Sequence, residues 1–494
     1  MIASLESRPV FVLSQRGPLA FGADTSGTLS ACPAGGGLAS AFGTLSKKRP
    51  FRWIAAAVSP QDRLAAHSPR SWQTGLTQVS LVDLPPAVSR LHYARFSNPL
   101  LWLLQHDLPD RLIAPRSPGE IEQAWEGGYR PANEAMAHHL VQMARGEDRP
   151  VVLVQDYHLY LAPALIRRAL PDALIAHFVH IPWPDPQAWA LLPPHIVEEI
   201  LGGLAQAELI GFQTAGDADR FLATCREYPG SMCRRTFGEW EALVRHYPIA
   251  VDAVELRASA GSAETARLRR SVRRNEAELI VGRVDRLDPS KNVPRGFEAF
   301  GLMLARNPSL RGRVRFVAHL VPSRSEIPEY DAERTDAFAA ADRVNRAFGS
   351  GEWRPIEIHY EENRALALAI MSESDVCLVN SVADGMNLVA KEMAVLNSRD
   401  GALVLSRRAG AWDELGPWAL GVNPMDVPAT ALALERALSM LPEERRHRAD
   451  GLRRAVEASS LDHWLDQQLA DLYSAGRGAP GWSVGRQRGS RPAA

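Results

Sequence analysis

Cysteine is scarce. The 494-residue chain has four, Cys32, Cys225, Cys233 and Cys377. None stands in a CxxC pair, so neither a zinc knuckle nor a disulfide framework is suggested. Reduced thiols fit a cytoplasmic setting. Net charge is nearly absent too, with 56 Lys and Arg against 57 Asp and Glu. That balance gives no bulk attraction to nucleic acid or to a membrane surface. No run of about 18 apolar residues occurs, so no membrane-spanning helix is expected. The opening MIASLESRPVFVLSQR carries Glu6 and Arg8 inside any would-be apolar region, which argues against a signal peptide. No repeat of about 20–50 residues is visible, so a solenoid is not expected. What remains is 46% hydrophobic and 23% charged, ordinary for two or more globular domains of about 150–250 residues.

Apolar strand-like runs alternate with amphipathic helical runs. VFVLS, PVVLVQ, LIAHFVHI, AELIGF, AELIVGRV, VRFVAHLV, DVCLVN and ALVLS read as strands. APALIRRAL, VPRGFEAFGLMLAR and NRALALAIM lie between them as helices. This alternation predicts an α/β fold of doubly wound parallel sheets. A shift from strand to charge-rich helix near 250–275 places a boundary there. The predicted division is 1–250, 251–455, a helix at 456–474 and a disordered, solvated basic tail at 475–494.

In open α/β sheets, ligands sit beyond the carboxyl ends of strands, so the polar residues there carry the functional argument. After DVCLVN comes the Asp384-Gly385 turn and then a helix with Val389, Met393 and Leu396 facing inward. Glu392 lies about 60° from Val389 around that axis, flanking the buried face. A strand, a glycine turn and a helix start can hold an anion; equally, Asp384 can simply cap the helix. VVLVQDYH ends in Asp156 and LIAHFVHIPWP in His180, one βαβ unit apart, so the two should share a sheet edge. Between them Arg167 and Arg168 are expected to point outward. A metal site from Asp156, His158 and His180 lacks a third ligand at helical or hairpin spacing. RLDPSKN puts Arg286 and Lys291 in one loop, a pair that can hold a diphosphate. In the first half, Arg16 follows the first strand, and Gly35, Gly36 and Gly37 allow close backbone approach to a ligand. Arg324 lies beyond another strand in the second half, so Arg16 and Arg324 can meet across a cleft on a phosphate.

QDYHLYLAP, FVHIPWP, IGFQT, RLDPSKN and ADGMNLVAKE together make the chain resemble the trehalose-6-phosphate synthase family of retaining glycosyltransferases, from about residue 8 to about 470. The resemblance implies a glycosyltransferase-B (GT-B) architecture. Two Rossmann-like domains face each other across a cleft, and a C-terminal helix, here SLDHWLDQQLADLYSA, crosses back to the first. It implies glucose transfer from a UDP-, GDP- or ADP-glucose to glucose 6-phosphate, giving α,α-trehalose 6-phosphate. Arg286 and Lys291 would hold the diphosphate, with Gly37 approaching it. Glu392 would take ribose hydroxyls, and the amides of Asn387, Leu388 and Val389 would face the donor. Asp384, beside Gly385, would bind donor-sugar hydroxyls, and His180 would sit near the 6-hydroxyl. Asp156 would bind an acceptor hydroxyl. Arg16, Tyr93 and Arg324 would cradle the acceptor phosphate, with Trp102 packing nearby. Retention in the family is attributed to front-face attack without a covalent intermediate. No metal or other cofactor is expected, the nucleotide sugar being a co-substrate. The partners are small molecules, and a homo-oligomer is possible.

The chain departs from the family at several points. Ala56 stands where many members carry a second tryptophan, Gln15 replaces an asparagine, Asn292 replaces a glycine and Ala383 an arginine. Some of these features are similar to the pseudo-glycosyltransferase that makes validoxylamine phosphate. The acceptor therefore stays open between glucose 6-phosphate and another phosphorylated compound, such as glycerol 3-phosphate or a cyclitol phosphate. A glycoside hydrolase would need two carboxylates about 5–10 Å apart and has no use for a diphosphate cradle. A nucleotide-sugar-sensing protein without turnover is the remaining alternative.

Overall fold

The computed structural model describes residues 8–24, 28–115, 117–229, 243–351 and 353–476. Two mainly parallel sheets organise the chain. The first has eight strands in the order Leu243–His246, Leu209–Phe212, Leu174–Phe178, Val151–Gln155, Val10–Ser14, Arg52–Ala56, Thr77–Val82 and Trp72–Thr74. Only the last pairs antiparallel. The second has six, in the order Ile356–Tyr360, Val314–Val321, Leu279–Arg286, Val376–Val379, Ala402–Ser406 and Leu420–Val422. A separate hairpin joins Leu19–Ala23 to Leu29–Pro33.

The central strands are buried along their whole length because helices cover both faces. Val151–Gln155, Leu174–Phe178 and Ala402–Ser406 have no exposed position, which explains their unbroken apolar sequences. The helix Val293–Arg306 buries Phe297, Phe300, Met303 and Leu304 against the second sheet. The strand reaching for His180 stops two residues short, at Phe178. Arg167 does not point freely outward. Its guanidinium pairs with Glu208 and donates to the carbonyl of Ala173 at 2.7 Å, because the turn after its helix brings those acceptors within reach.

The last helix, Leu461–Gly476, returns to the first sheet. Trp464 donates from Nε1 to the carbonyl of Tyr247 at 3.1 Å and meets the rings of Phe42 and Phe178. Asp466 pairs with Arg49 at 2.7 Å. The expected tail at 475–494 lies, from residue 477 on, outside the described residues. No helix among the described residues is long and apolar enough to cross a membrane.

Candidate active site

The second sheet supplies one wall. After Val376–Val379 the chain turns through Asp384 and enters the helix Leu388–Leu396. Asn387, not Asp384, caps it. Its side-chain oxygen accepts from the N–H of Ala390 at 3.1 Å, and its backbone is left-handed at φ 76°, which asparagine tolerates better than most residues. Asp384 is thereby free for another task. Its Oδ2 accepts from Asn387 Nδ2 at 3.0 Å and Ser381 Oγ at 3.2 Å, and it pairs with Lys291. Burial would raise the Asp384 carboxyl, but Lys291 holds it below the usual range.

Lys291 ends a short turn after the strand Leu279–Arg286. Asn292 follows at φ 60°, which explains how asparagine substitutes for a glycine here. Its amide also donates to the carbonyls of Asn380 at 3.0 Å and Pro424 at 2.8 Å. The fully buried Arg283 donates to Asn380 Oδ1 at 2.6 Å and to the carbonyl of Lys291, with Asp285 3.0 Å away as counter-ion. This lattice fixes where the Lys291 ammonium stands. Arg286 is 46% exposed and lies 2.7 Å from Asp288.

The first sheet supplies the opposite wall. Asp156 sits just beyond Val151–Gln155 at φ 72°. Its Oδ1 accepts from the N–H of His180 at 3.1 Å, so the two strand ends do share an edge. Burial pushes its carboxyl up to about 6, against the backbone donors of His180 and Tyr157 and the charge of Arg324. Both His180 ring nitrogens are engaged, with Gln155 at 2.9 Å and Gln213 at 3.2 Å. Burial lowers the ring to about 3, so it is a neutral fixture and not an acid.

Arg16, Tyr93 and Arg324 converge. Arg16 donates to the Tyr93 hydroxyl at 3.1 Å and Arg324 to the same oxygen at 3.5 Å. Burial would raise the phenol, yet Arg324 and Arg16 together lower it. Trp102 lies beneath two cations, with Arg324 4.6 Å and Arg286 5.8 Å from its ring. That indole spans the two halves of the cleft.

Three residues here escaped the sequence reading. His106 stacks on Trp102 at 4.0 Å and donates from Nδ1 to the carbonyl of Trp102 at 2.7 Å. Burial lowers it to about 4, opposed by Asp384. Tyr330 and Tyr157 offer their hydroxyls to Arg324 at 2.7 and 3.4 Å. Tyr157 lies inside the DYH motif, and its place there was a usable signal; nothing marks His106 or Tyr330.

The walls touch through glycine. A Cβ on Gly385 would overlap the carbonyl oxygen of His180, and one on Gly37 would stand 2.8 Å from Leu388. The glycine loop of the first domain therefore rests on the helix start of the second. The cleft so formed has cations and amides on one side, a phosphate-sized cationic corner on the other, and Asp156 between. Such a site can take a diphosphate and a second anion together.

The sequence profile of Glycosyltransferase family 20 matches residues 9–474. The chain is similar to the α,α-trehalose-phosphate synthase (UDP-forming) of Schizosaccharomyces pombe, 32% identical over 94% of this chain and 90% of that one. It is 35% identical to the trehalose-6-phosphate synthase of Sinorhizobium fredii, over 82% and 86%. Among solved structures, the Burkholderia xenovorans synthase in complex with glucose-6-phosphate superposes with a TM-score of 0.80 at 28% identity, covering 94% of this chain and all of that one. The E. coli enzyme bound with UDP-2-fluoro glucose gives 0.78 at 27% identity, covering 94% and 99%. The chain is a glycosyltransferase of GT-B architecture and belongs to glycosyltransferase family 20.

Proposed function

We propose that the protein transfers glucose from a nucleotide-glucose to glucose 6-phosphate, with retention at the anomeric carbon, giving α,α-trehalose 6-phosphate. One observation carries the acceptor assignment. Arg16 and Arg324 come from opposite halves of the chain and converge on a single hydroxyl, that of Tyr93. Two fixed cations held together over a half-buried phenol need an anion between them to offset their repulsion, and a sugar phosphate supplies one. The similarity to a UDP-forming synthase of Schizosaccharomyces pombe and to the Burkholderia xenovorans synthase in complex with glucose-6-phosphate supports the same reading.

The donor reading follows from exchange. Lys291 is paired with Asp384 and Arg286 with Asp288. A bound diphosphate takes Lys291 and Arg286, which releases Asp384 to accept sugar hydroxyls. The amides of Leu388 and Val389 add fixed donors at the helix start. Charge building on the leaving phosphate is met by groups already in place, the arrangement that lowers a barrier most. The departing phosphate oxygen takes the acceptor proton on the same face, so no separate base is used. Asp156 accepts from an acceptor hydroxyl and orients it. No metal ion is needed where two cationic side chains do this work.

The test is to incubate the protein with UDP-, GDP- and ADP-glucose against glucose 6-phosphate, glycerol 3-phosphate, a cyclitol phosphate and free glucose, identifying products by mass. Trehalose 6-phosphate is expected. Product from another phosphorylated acceptor reassigns the acceptor and keeps the chemistry. Equal use of free glucose removes the phosphate cradle and the assignment with it.

A further inference from the structure

Two motif residues have no place among the substrate contacts, Gln213 of IGFQT and Lys391 of VAKE. They are buried, at 3% and 2% exposure, and both hold the backbone of one residue, Ile249. The N–H of Ile249 donates to Gln213 Oε1 at 3.0 Å. The carbonyl of Ile249 accepts from Lys391 Nζ at 2.8 Å. Ile249 lies where the chain leaves the first sheet, between the strand Leu243–His246 and the helix Ala253–Ala260. Gln213 directly follows the strand Leu209–Phe212 of the first sheet, and Lys391 sits on the helix Leu388–Leu396 of the second domain. The crossing residue is gripped by one domain through its backbone N–H and by the other through its carbonyl. An isolated buried ammonium would be costly; Lys391 is balanced by an ion pair with Glu414.

The same contacts settle the state of His180. A backbone N–H only donates, so the Gln213 atom facing Ile249 is the oxygen. Its amide nitrogen then points at His180 Nδ1, 3.2 Å away. A ring nitrogen that receives an N–H carries a lone pair. The proton of the neutral ring is therefore on Nε2, which donates to Gln155 Oε1 at 2.9 Å.

We propose that Gln213, the backbone of Ile249 and Lys391 form an interdomain clamp that fixes His180 as its Nε2–H tautomer and sets the helix Leu388–Leu396 at a defined distance from it. Gln213 and Lys391 are positioning residues. They touch no substrate and act through His180 on one side of the cleft and through the helix carrying Glu392 on the other. The kinetic consequence rests on the cleft being the donor site proposed above. A bare nucleotide needs only the second domain, whereas transfer needs both domains in register.

Gln213→Leu, Lys391→Met and the double variant test this, each first shown folded by circular dichroism. Each single variant should lose about 10–100-fold in kcat, as expected for misplaced reacting groups. Affinity for bare UDP, GDP or ADP, whichever the wild type binds, should change by less than about threefold. The double variant should fall no more than about threefold below the worse single one, because both hold the backbone of one residue. Unchanged kcat in both folded singles, or losses that multiply, overturns the clamp. A second readout does not use turnover. With 15N-labelled histidine, and His180 assigned by difference from His180→Ala, Nδ1 should be pyridine-like and Nε2 pyrrole-like from about pH 5 to 8. The opposite tautomer, or a ring that titrates in that range, overturns the proposal. If the wild type transfers no glucose, the functional reading fails and this spectroscopic arm alone decides the clamp.

Discussion

Glu392 is a carboxylate kept at a cost to stability. It stands on the helix Leu388–Leu396, flanking the buried Met393, and among the described residues no hydrogen bond or ion pair holds it. Burial drives its carboxyl from 4.5 to about 7, with Arg364 the opposing charge. Between those values the folded state keeps a proton that the unfolded chain has released. Raising the pH through that window therefore removes stability, and the full penalty is present above about 7. Each pH unit is worth about 1.4 kcal/mol, so the gap of about 2.5 units caps the penalty near 3.5 kcal/mol. Partial solvent contact reduces this to about 1–3 kcal/mol. Glu392→Gln should then be more stable than wild type by about 1–3 kcal/mol at about pH 8, the gain shrinking below 7 and vanishing near 4.5. Urea titrations at about pH 8 and pH 5 read this directly. The same variant should bind nucleotide at least about tenfold more weakly, because ribose hydroxyls lose a charged acceptor. Wild-type affinity should fall as pH drops below about 7, and the variant's should stay flat. A variant that is no more stable at pH 8, or that keeps wild-type nucleotide affinity by calorimetry, would refute the assignment of Glu392 to the donor.

Arg286→Ala and Lys291→Ala should each cut kcat by about 10²–10³ in steady-state assays; both should also melt lower, because each strands a buried carboxylate, Asp288 or Asp384. Arg324→Ala should weaken binding of the phosphorylated acceptor by about 10–150-fold, since a charged hydrogen bond contributes about 1.5–3 kcal/mol. Nucleotide binding, titrated separately, should hardly move, because the proposed diphosphate contacts are Lys291 and Arg286 and not Arg324. Turnover should survive EDTA; loss reversed by a divalent ion would point to a metal in the cleft.

Most of the fold was legible because parallel strands buried on both faces are unbroken apolar words. The strands that were missed lack that mark. Arg52–Ala56 reads RWIAA, half alanine-rich and poor in β-branched residues. Ile356–Tyr360 is an edge strand whose half-buried IEIHY alternates with polar side chains. Leu420–Val422 and Trp72–Thr74 are three residues long and sit at sheet edges. The site was legible where a polar residue ends an apolar run, as with Asp156, Arg286 and Arg324. Contacts between distant segments were not. Lys291 and Asp384 are 93 residues apart, and no local pattern announces their pairing. Tyr330 lies within a long helix, Pro328–Phe348, whose amphipathic pattern hides its hydroxyl's role. His106 reads as an ordinary residue after a leucine-rich turn.

The charges explain why these contacts matter together. The cleft is nearly self-neutralised: Lys291 on Asp384, Arg286 on Asp288, Arg324 among Tyr330, Tyr157 and Tyr93. Buried cations left bare would be too costly to keep. Each internal partner is also weaker or more easily spared than the ligand group that would replace it. A diphosphate outcompetes a single carboxylate for Lys291 and Arg286, and a phosphate dianion outcompetes phenol oxygens for Arg16 and Arg324. The groups displaced are not wasted, since Asp384 and the phenols remain as acceptors and donors for sugar hydroxyls. Among the described residues no hydrogen bond or ion pair holds Glu392, and burial raises its carboxyl. On the proposed function, the cleft's own carboxylates and phenols hold its cations where two ligand anions would meet them.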